Sequence, residues 1–211
     1  MFNVVTISRE YGSGGAEIGR KVATLLNWEC IDKQIIERAA SLAQVDAEWA
    51  AAIDEHAVTW WEKVLWGFRK GGPDLLLVDR EDDCPDRDTM QRFTAHVIEQ
   101  AAKVGNCVIL GRGAGCMLRH QKHILRVLVC APLSEKIERV KRRHPEEKDL
   151  RALLARRDAE RSGYVQTYYG WDPADPRIYH LCINSTLGID MCGELIASII
   201  RSARPDMPVN T

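Results

Sequence analysis

The 211-residue chain lacks a long hydrophobic run, an excess of charge of either sign and any paired arrangement of cysteines. No stretch approaches the roughly 18 consecutive apolar residues that a membrane-spanning helix needs, and no basic segment precedes an apolar run as in a secretory signal. Because the net charge is −1, nothing global favours binding to nucleic acid or to an anionic membrane. We therefore expect a cytoplasmic protein whose anion sites are local.

The cysteines give no sign of disulfides or of a metal centre. There are seven of them, an odd number, and none belongs to a Cys-x-x-Cys pair. Scattered single cysteines are typical of buried, reduced thiols in a cytosolic protein. Because a structural zinc site needs closely spaced ligand pairs, we assign no metal-ligating residue.

Short apolar runs alternate with helical patterns along the chain, which indicates a parallel α/β sheet covered on both faces. Four runs predict buried strands, and a fifth, less apolar run predicts another: Val4–Ile7, Cys107–Leu110, Leu125–Cys130, Leu181–Ile183 and Glu29–Ile31. Helices are expected at 16–26, 33–43, 89–104, 133–143, 147–161 and 189–203. At this length we expect a single domain over residues 1–211.

The stretch between Asp32 and Cys107 is far longer than one crossover helix requires. It contains a tryptophan-rich helical pattern at 46–69, a Gly-Gly-Pro break at 71–73 and an acidic loop at 79–88. We expect an insertion at about 45–100 that forms a lid or the wall of a second substrate site. The tryptophans are expected to pack this insertion against the core, with a base-stacking or dimer surface as the alternative.

A glycine-rich turn, Gly12–Gly15, lies between the first predicted strand and the first predicted helix. This layout wraps phosphates, because backbone N–H groups turn inward at the positive end of a helix dipole. A P-loop reads Gly-x-x-x-x-Gly-Lys-Ser/Thr, but here Gly15 stands at the lysine position and Glu17 at that of the hydroxyl. Arg9 is a candidate source of charge for a bound phosphate. A tight turn without a ligand is the alternative.

Further candidate residues lie at predicted strand ends and on basic helices. Asp32 follows the second strand, where an aspartate either binds a substrate hydroxyl or metal-bound water, or caps the next helix. Arg112 lies between two glycines after the third strand, and its guanidinium suits a phosphate. Asp158 and Arg161 are one helical turn apart within an arginine-rich region. Such a region predicts an anion clamp for phosphoryl transfer, or else surface ion pairs of little energetic value.

These blocks resemble the cytidylate kinase-like family, a divergent branch of the nucleoside monophosphate kinases with the P-loop fold. The resemblance covers most of the chain and is poorest at 45–100. It is carried by residues 7–15, 31–33, 108–114, 131–133, 158–161, 168–170 and 183–186. It implies a three-layer α/β/α P-loop kinase fold with a five-stranded parallel sheet, a nucleoside-monophosphate-binding insertion at about 45–100 and an arginine-rich lid at about 134–163.

The resemblance also implies an activity and a set of site residues. ATP, with Mg²⁺, would donate its γ-phosphoryl group to CMP, dCMP or a similar small acceptor. The residues implied at the ATP phosphates are Arg9, Tyr11, Gly12, Ser13, Gly14, Gly15, Ala16 and Glu17. The residues implied at the acceptor are Asp32, Arg112, Asp158 and Arg161. Those implied in catalysis are Arg112, Asp158 and Arg161, together with Arg139, Arg142 and Arg143 in the lid.

The chain departs from authentic cytidylate kinases at three of these positions. The P-loop lysine is Gly15, the hydroxyl residue is Glu17, and the aspartate after Arg112 is Gly113. The divergent family often has an arginine where this chain has Ala16. Two alternatives to a nucleotide kinase therefore stay open: a non-catalytic nucleotide-binding sensor or interaction module, and a kinase of a non-nucleotide small molecule. We expect small-molecule nucleotides as partners, no nucleic acid and no membrane, and leave a homodimer open.

Overall fold

The structure is a computed structural model that describes residues 2–33 and 87–203. The chain divides into two compact units, one formed by Met1–Cys30 with Asn106–Thr211 and the other by Ile31–Gly105. The predicted insertion at 45–100 falls within the second unit. The predicted helix at 33–43, the tryptophan-rich helix and most of the acidic loop lie outside the described residues.

The described residues form five strands and six α-helices. The strands are β1 (Val4–Arg9), β2 (Glu29–Ile31), β3 (Cys107–Leu110), β4 (Ile124–Cys130) and β5 (Leu181–Asn184). The helices are α1 (Gly15–Leu26), α2 (Arg87–Val104), α3 (Ala114–Met117), α4 (Leu133–Arg143), α5 (Leu150–Tyr169) and α6 (Ile189–Ser202). Short 3₁₀ turns occupy Pro176–Ile178 and Ser185–Leu187. No described helix is both long and apolar enough to cross a membrane.

The strands form one parallel sheet in the order β2-β3-β1-β4-β5. Val4 of the central strand β1 is in register with Cys107 of β3 on one side and with Ile124 of β4 on the other. In β4, Val127 is in register with Leu181 of β5. The predicted α/β fold with a five-stranded parallel sheet is therefore confirmed.

Helices of the first unit cover both faces of the sheet. On one face, buried aliphatic side chains of β1 pack with those of α1 and α6: Val5, Ile7, Ile18, Val22, Ile196 and Ile200. Full burial of each such side chain is worth about 1.5–3 kcal/mol. The alternate residues Thr6 and Ser8 lie on the opposite face, where their hydroxyls are 3.4 and 3.5 Å from the position of a Cβ on Gly115 of α3. The carboxyl ends of the strands are thereby fixed at one edge.

Helix boundaries follow local chemistry, with one clear departure from the prediction. Asn27 ends α1 in the left-handed conformation, with φ of 52°, as predicted. Helix α5 was expected at 147–161, but it begins after Asp149, whose side chain accepts a bond from the Ala152 N–H at 2.9 Å. It continues to Tyr169 and ends at Gly170, with φ of 69°. Although Gly163 has low helix propensity, burial of Val165 favours continuation of the helix.

Candidate functional site

The glycine-rich loop joins β1 to α1 at the carboxyl edge of the sheet. Gly12 and Gly14 have φ of 80° and 81°, a left-handed conformation that strains other residues. A Cβ on Gly12 would lie 2.9 Å from Val140 Cγ2, and one on Gly14 would lie 2.7 Å from Ile189 Cδ1. The buried Ser13 hydroxyl donates to the Glu10 carbonyl at 2.9 Å. The loop therefore has a tight, defined shape rather than that of a loose connection.

Arg139 of α4 links this loop to the end of β5. Its Nη1 donates to the Ser13 carbonyl at 3.2 Å and to Ser185 Oγ at 2.8 Å, and its Nη2 donates to the Ser185 carbonyl at 3.3 Å. Nη2 also lies 3.5 Å from Glu135 Oε2. In this arrangement Arg139 links the glycine-rich loop to the end of β5. Its implied action as a lid residue over phosphates would require these bonds to break, and that action stays a prediction.

Lys136, one turn earlier on α4, is a site residue that the sequence analysis did not single out. Its Nζ lies 3.2 Å from Glu10 Oε2 and 3.6 Å from Asp158 Oδ2, and the side chain is only 13% exposed. Glu10 Oε2 also accepts from the Ala131 N–H at 3.2 Å. Lys136 and Arg139 are three residues apart and therefore lie on one face of α4. This spacing was the feature of the sequence that could have identified Lys136 as a site residue.

Asp158 and Arg161 of α5 both contact the loop backbone. Asp158 Oδ1 accepts from the Tyr11 N–H at 2.6 Å, and Arg161 Nη1 donates to the Arg9 carbonyl at 3.4 Å. The Arg161 guanidinium carbon lies 5.2 Å from the centre of the Tyr11 ring, within cation–π range. Burial lowers the pKa of Arg161 from its usual value, and the Asp158 carboxylate opposes that shift. The structure thus brings this predicted pair to the loop.

Arg112 lies in a tight turn directly after β3. Its φ of 53° is unusual for a residue with a side chain and costs of order 1–3 kcal/mol, the kind of strain often found at functional sites. The Tyr169 hydroxyl donates to the Arg112 carbonyl at 3.3 Å. A Cβ on Gly113 would lie 2.1 Å from Tyr169 Cε2, so this glycine makes room for the ring. The end of α5 therefore supports the turn that carries Arg112.

Arg9, the last residue of β1, runs between two glycines. A Cβ on Gly15 would lie 2.6 Å from Arg9 Cβ, and a Cβ on Gly111 would lie 1.9 Å from Arg9 Nη1. The aliphatic stem of Arg9 therefore packs against the start of α1, and its guanidinium lies at the turn that follows β3.

The remaining predicted site residues form ion pairs on α1 and α4, lie at the start of α1, or belong to the second unit. Arg143 of α4 is paired with Glu17, near the start of α1. Arg142 is 77% exposed, and its Nη2 lies 3.7 Å from Glu138 Oε2. Ala16 is the second residue of α1. Asp32 is half-buried and belongs to the second unit.

The loop fits a polyphosphate better than it fits a magnesium ion. The start of α1 is a positive dipole end beside left-handed glycines, and Arg9 and Arg161 add charge near it. Glu17, which the sequence analysis placed at the hydroxyl position, is paired with Arg143, and Ala16, directly after the lysine position, has no hydroxyl either. Within residues 2–33 and 87–203, no group of three or more His, Cys, Asp or Glu side chains could hold a metal ion.

Comparisons with known proteins agree with this fold. The sequence profile of the cytidylate kinase-like family matches residues 4–187. No protein with a curated description is a significant match. An uncharacterized protein from Eubacterium ventriosum ATCC 27560 superposes with a TM-score of 0.69 at 18% identity, over 96% of this chain and 99% of that one.

Two shikimate kinases have similar folds at lower scores. The enzyme from Acinetobacter baumannii, in complex with shikimate, has a TM-score of 0.53 at 14% identity, over 97% of this chain and 96% of its own. The enzyme from Bacteroides thetaiotaomicron also gives 0.53 at 14% identity, over 94% and 98%. At such identities the likeness shows the fold alone, which is that of the P-loop kinases.

Proposed function

Because the chain belongs to the cytidylate kinase-like family, we propose that it is a kinase that transfers the γ-phosphoryl group of ATP to CMP, dCMP or a similar small acceptor. One observation carries this proposal. Cationic side chains from three elements, Arg9 of β1, Lys136 of α4 and Arg161 of α5, converge on the glycine-rich loop at the start of α1. Glu10 and Asp158 offset part of this charge, which leaves a cationic excess beside the positive end of the α1 dipole.

A protein catalyses phosphoryl transfer mainly by positioning the two reactants and by stabilising the negative charge of the transition state. The N–H groups of Gly12–Gly15 and the dipole of α1 would bind the donor phosphates. Arg161, whose position is fixed by the Arg9 carbonyl and the Tyr11 ring, would offset charge on the transferring group. Magnesium bound to ATP would withdraw further charge from the phosphoryl oxygens.

The acceptor would bind between the turn after β3 and α5. The strained turn presents Arg112 beside the end of β1, where its guanidinium would hold an acceptor phosphate. Asp158 is oriented by the Tyr11 N–H through Oδ1, so its Oδ2 would accept a bond from an acceptor hydroxyl. Lys136 Nζ lies 3.6 Å from that Oδ2.

The test is ADP release by the purified protein with ATP, Mg²⁺ and a panel of acceptors, measured beside ATP binding by calorimetry. The panel includes CMP, dCMP, other nucleoside monophosphates and shikimate, the last because of the fold of the shikimate kinases. We expect turnover with a cytidine nucleotide that falls about 10²–10³-fold in Arg112→Ala and Asp158→Ala, the usual cost of one preorganised charge contact. Asp190→Asn, at a side chain 84% exposed on α6, is the matched control and should keep full turnover.

The pairing of Glu17 with Arg143 favours a second candidate, a non-catalytic nucleotide sensor. In a P-loop the magnesium-binding hydroxyl residue directly follows the lysine. Here the two residues after Gly15 are Ala16, which has no polar group, and Glu17, whose carboxylate is paired with Arg143. Tight ATP binding without turnover on the whole panel would support the sensor. Loss of both binding and turnover in the unmodified protein would overturn both candidates.

A further inference from the structure

Gly15 is a glycine because of its neighbours rather than its backbone. Its φ is not among the positive values found at Gly12, Gly14 and Gly111, so an ordinary side chain is compatible with its conformation. The space beside it is taken, however. A Cβ there would lie 2.6 Å from Arg9 Cβ, 3.1 Å from Arg9 Cγ and 3.3 Å from Val129 Cβ. The absence of a side chain at position 15 is therefore what lets the stem of Arg9 pass.

The far end of the same side chain lies against a second glycine, Gly111, whose φ of 72° itself favours glycine. A Cβ on Gly111 would lie 1.9 Å from Arg9 Nη1 and 3.0 Å from Arg9 Cζ. Gly111 follows β3, and its N–H donates to the Ile7 carbonyl of β1 at 3.0 Å. Two glycines from distant parts of the chain thus define the course of one arginine, and its guanidinium lies above the adjoining carboxyl ends of β1 and β3.

This is the edge at which parallel α/β sheets bind their ligands. A P-loop lysine starts from the first residue of the helix and reaches the β- and γ-phosphates. Gly15 holds that starting position here, and Arg9 runs past it towards the end of β3. We propose that Arg9 replaces the missing P-loop lysine, so that the phosphate-binding cation comes from the end of β1 instead of the start of α1. This inference rests on the proposed function, in that the loop binds polyphosphate.

The geometry makes the two cation positions mutually exclusive. Restoring the lysine alone, by Gly15→Lys, would press its Cβ against the stem of Arg9, so it should impair binding instead of improving it. Arg9→Ala would not relieve that contact, because the closest atom is Arg9 Cβ itself. The double variant Arg9→Gly/Gly15→Lys removes the two closest contacts, leaves only Val129 Cβ at 3.3 Å, and returns one cation to the loop. If Arg9 only held β1 against β3, a lysine at position 15 could not restore the phosphate binding that is lost with Arg9.

The experiment measures binding of inorganic tripolyphosphate and of ATP by calorimetry, with a thermal melt of each variant. Arg9→Met keeps the stem and removes the charge, and it should weaken tripolyphosphate binding at least tenfold without a matching fall in melting temperature. Arg9→Lys should retain an intermediate affinity. Gly15→Lys should bind no better than Arg9→Met, and the double variant should recover most of the loss. Arg20→Ala, at an exposed arginine on α1, should bind like the unmodified protein.

Two results would overturn the inference: tripolyphosphate binding by folded Arg9→Met within twofold of the unmodified protein, or improved binding by Gly15→Lys alone. The turnover assay keeps the two proposals apart. Arg9-dependent tripolyphosphate binding without turnover on any acceptor would sustain Arg9 as the phosphate cation and reject the kinase. Turnover together with tripolyphosphate binding that does not depend on Arg9 would support the kinase and reject Arg9 as the phosphate cation. If the unmodified protein bound neither tripolyphosphate nor ATP, both proposals would be rejected.

Discussion

Replacement of Arg139 by alanine should destabilise the protein, because its guanidinium serves two carbonyls of buried residues. Ser13 and Ser185 are both fully buried, and their carbonyls accept from Arg139 at 3.2 and 3.3 Å. A buried acceptor left without a donor costs about 1–3 kcal/mol. The Ser185 carbonyl keeps a second donor, the Gly188 N–H at 3.1 Å, whereas the Ser13 carbonyl and the Ser185 hydroxyl lose the bonds that Arg139 donates to them. These two groups, offset in part by water entry, give a loss of about 2–3 kcal/mol. That is a large fraction of the 5–15 kcal/mol over which folded proteins are usually stable.

Urea denaturation followed by circular dichroism measures this loss, which should lower the midpoint by about 1 M or more at ordinary slopes. Arg142→Ala is the matched variant for stability on the same helix. Arg142 is 77% exposed and pairs only with Glu138 among the contacts of its guanidinium in the described structure, so its removal should cost less than about 1 kcal/mol. Equal midpoints for the Arg139 and Arg142 variants would refute the inference that Arg139 links the loop to β5.

Two further predictions concern the face of the sheet that carries α3 and α5. Gly113→Ala should lower stability by about 2–4 kcal/mol, because its Cβ would lie 2.1 Å from Tyr169 Cε2; Gly163→Ala, with nothing within 4 Å, should be neutral or stabilising in thermal melts. Burial raises the pKa of Tyr179 to about 12, and an unfolded tyrosine titrates near pH 10. Its contribution to stability is therefore complete below about pH 10 and lost as the pH rises towards 12. Tyr179→Phe should flatten the fall of melting temperature over that range, and an unchanged slope would contradict it.

Sequence patterning was a good guide to the sheet for a physical reason. Strands buried on both faces appear as uninterrupted apolar runs, and the runs at 4–7 and 107–110 correspond to β1 and β3 within two residues at each end. The end of α5 was missed because local propensity stops a helix near Gly163, whereas burial of Val165 depends on residues far away in the chain. Tertiary packing overrides propensity in such cases.

The site was predictable as a set of residues but not as a set of contacts. Asp158 and Arg161 could be paired from their spacing, yet nothing in that spacing indicates that Asp158 would accept the Tyr11 N–H. Arg139 was assigned to a lid because it lies in an arginine-rich helix. Its partner Ser185 is far along the chain, and only the fold brings the two together. Lys136 was missed because its partners Glu10 and Asp158 lie far away in the chain, and its spacing from Arg139 alone does not distinguish it from the other basic residues of α4.

Position 15 shows why a missing motif residue is an incomplete argument for lost function. In the sequence, glycine in place of lysine counts only as the loss of a charge. In the structure, the same glycine creates the space that Arg9 occupies, and Gly111 provides the space for its guanidinium. The missing lysine at position 15 and the course of the Arg9 side chain therefore have the same steric cause. If this is correct, a bulky side chain at position 15 would displace the stem of Arg9, so such a substitution should weaken tripolyphosphate binding even with Arg9 unchanged.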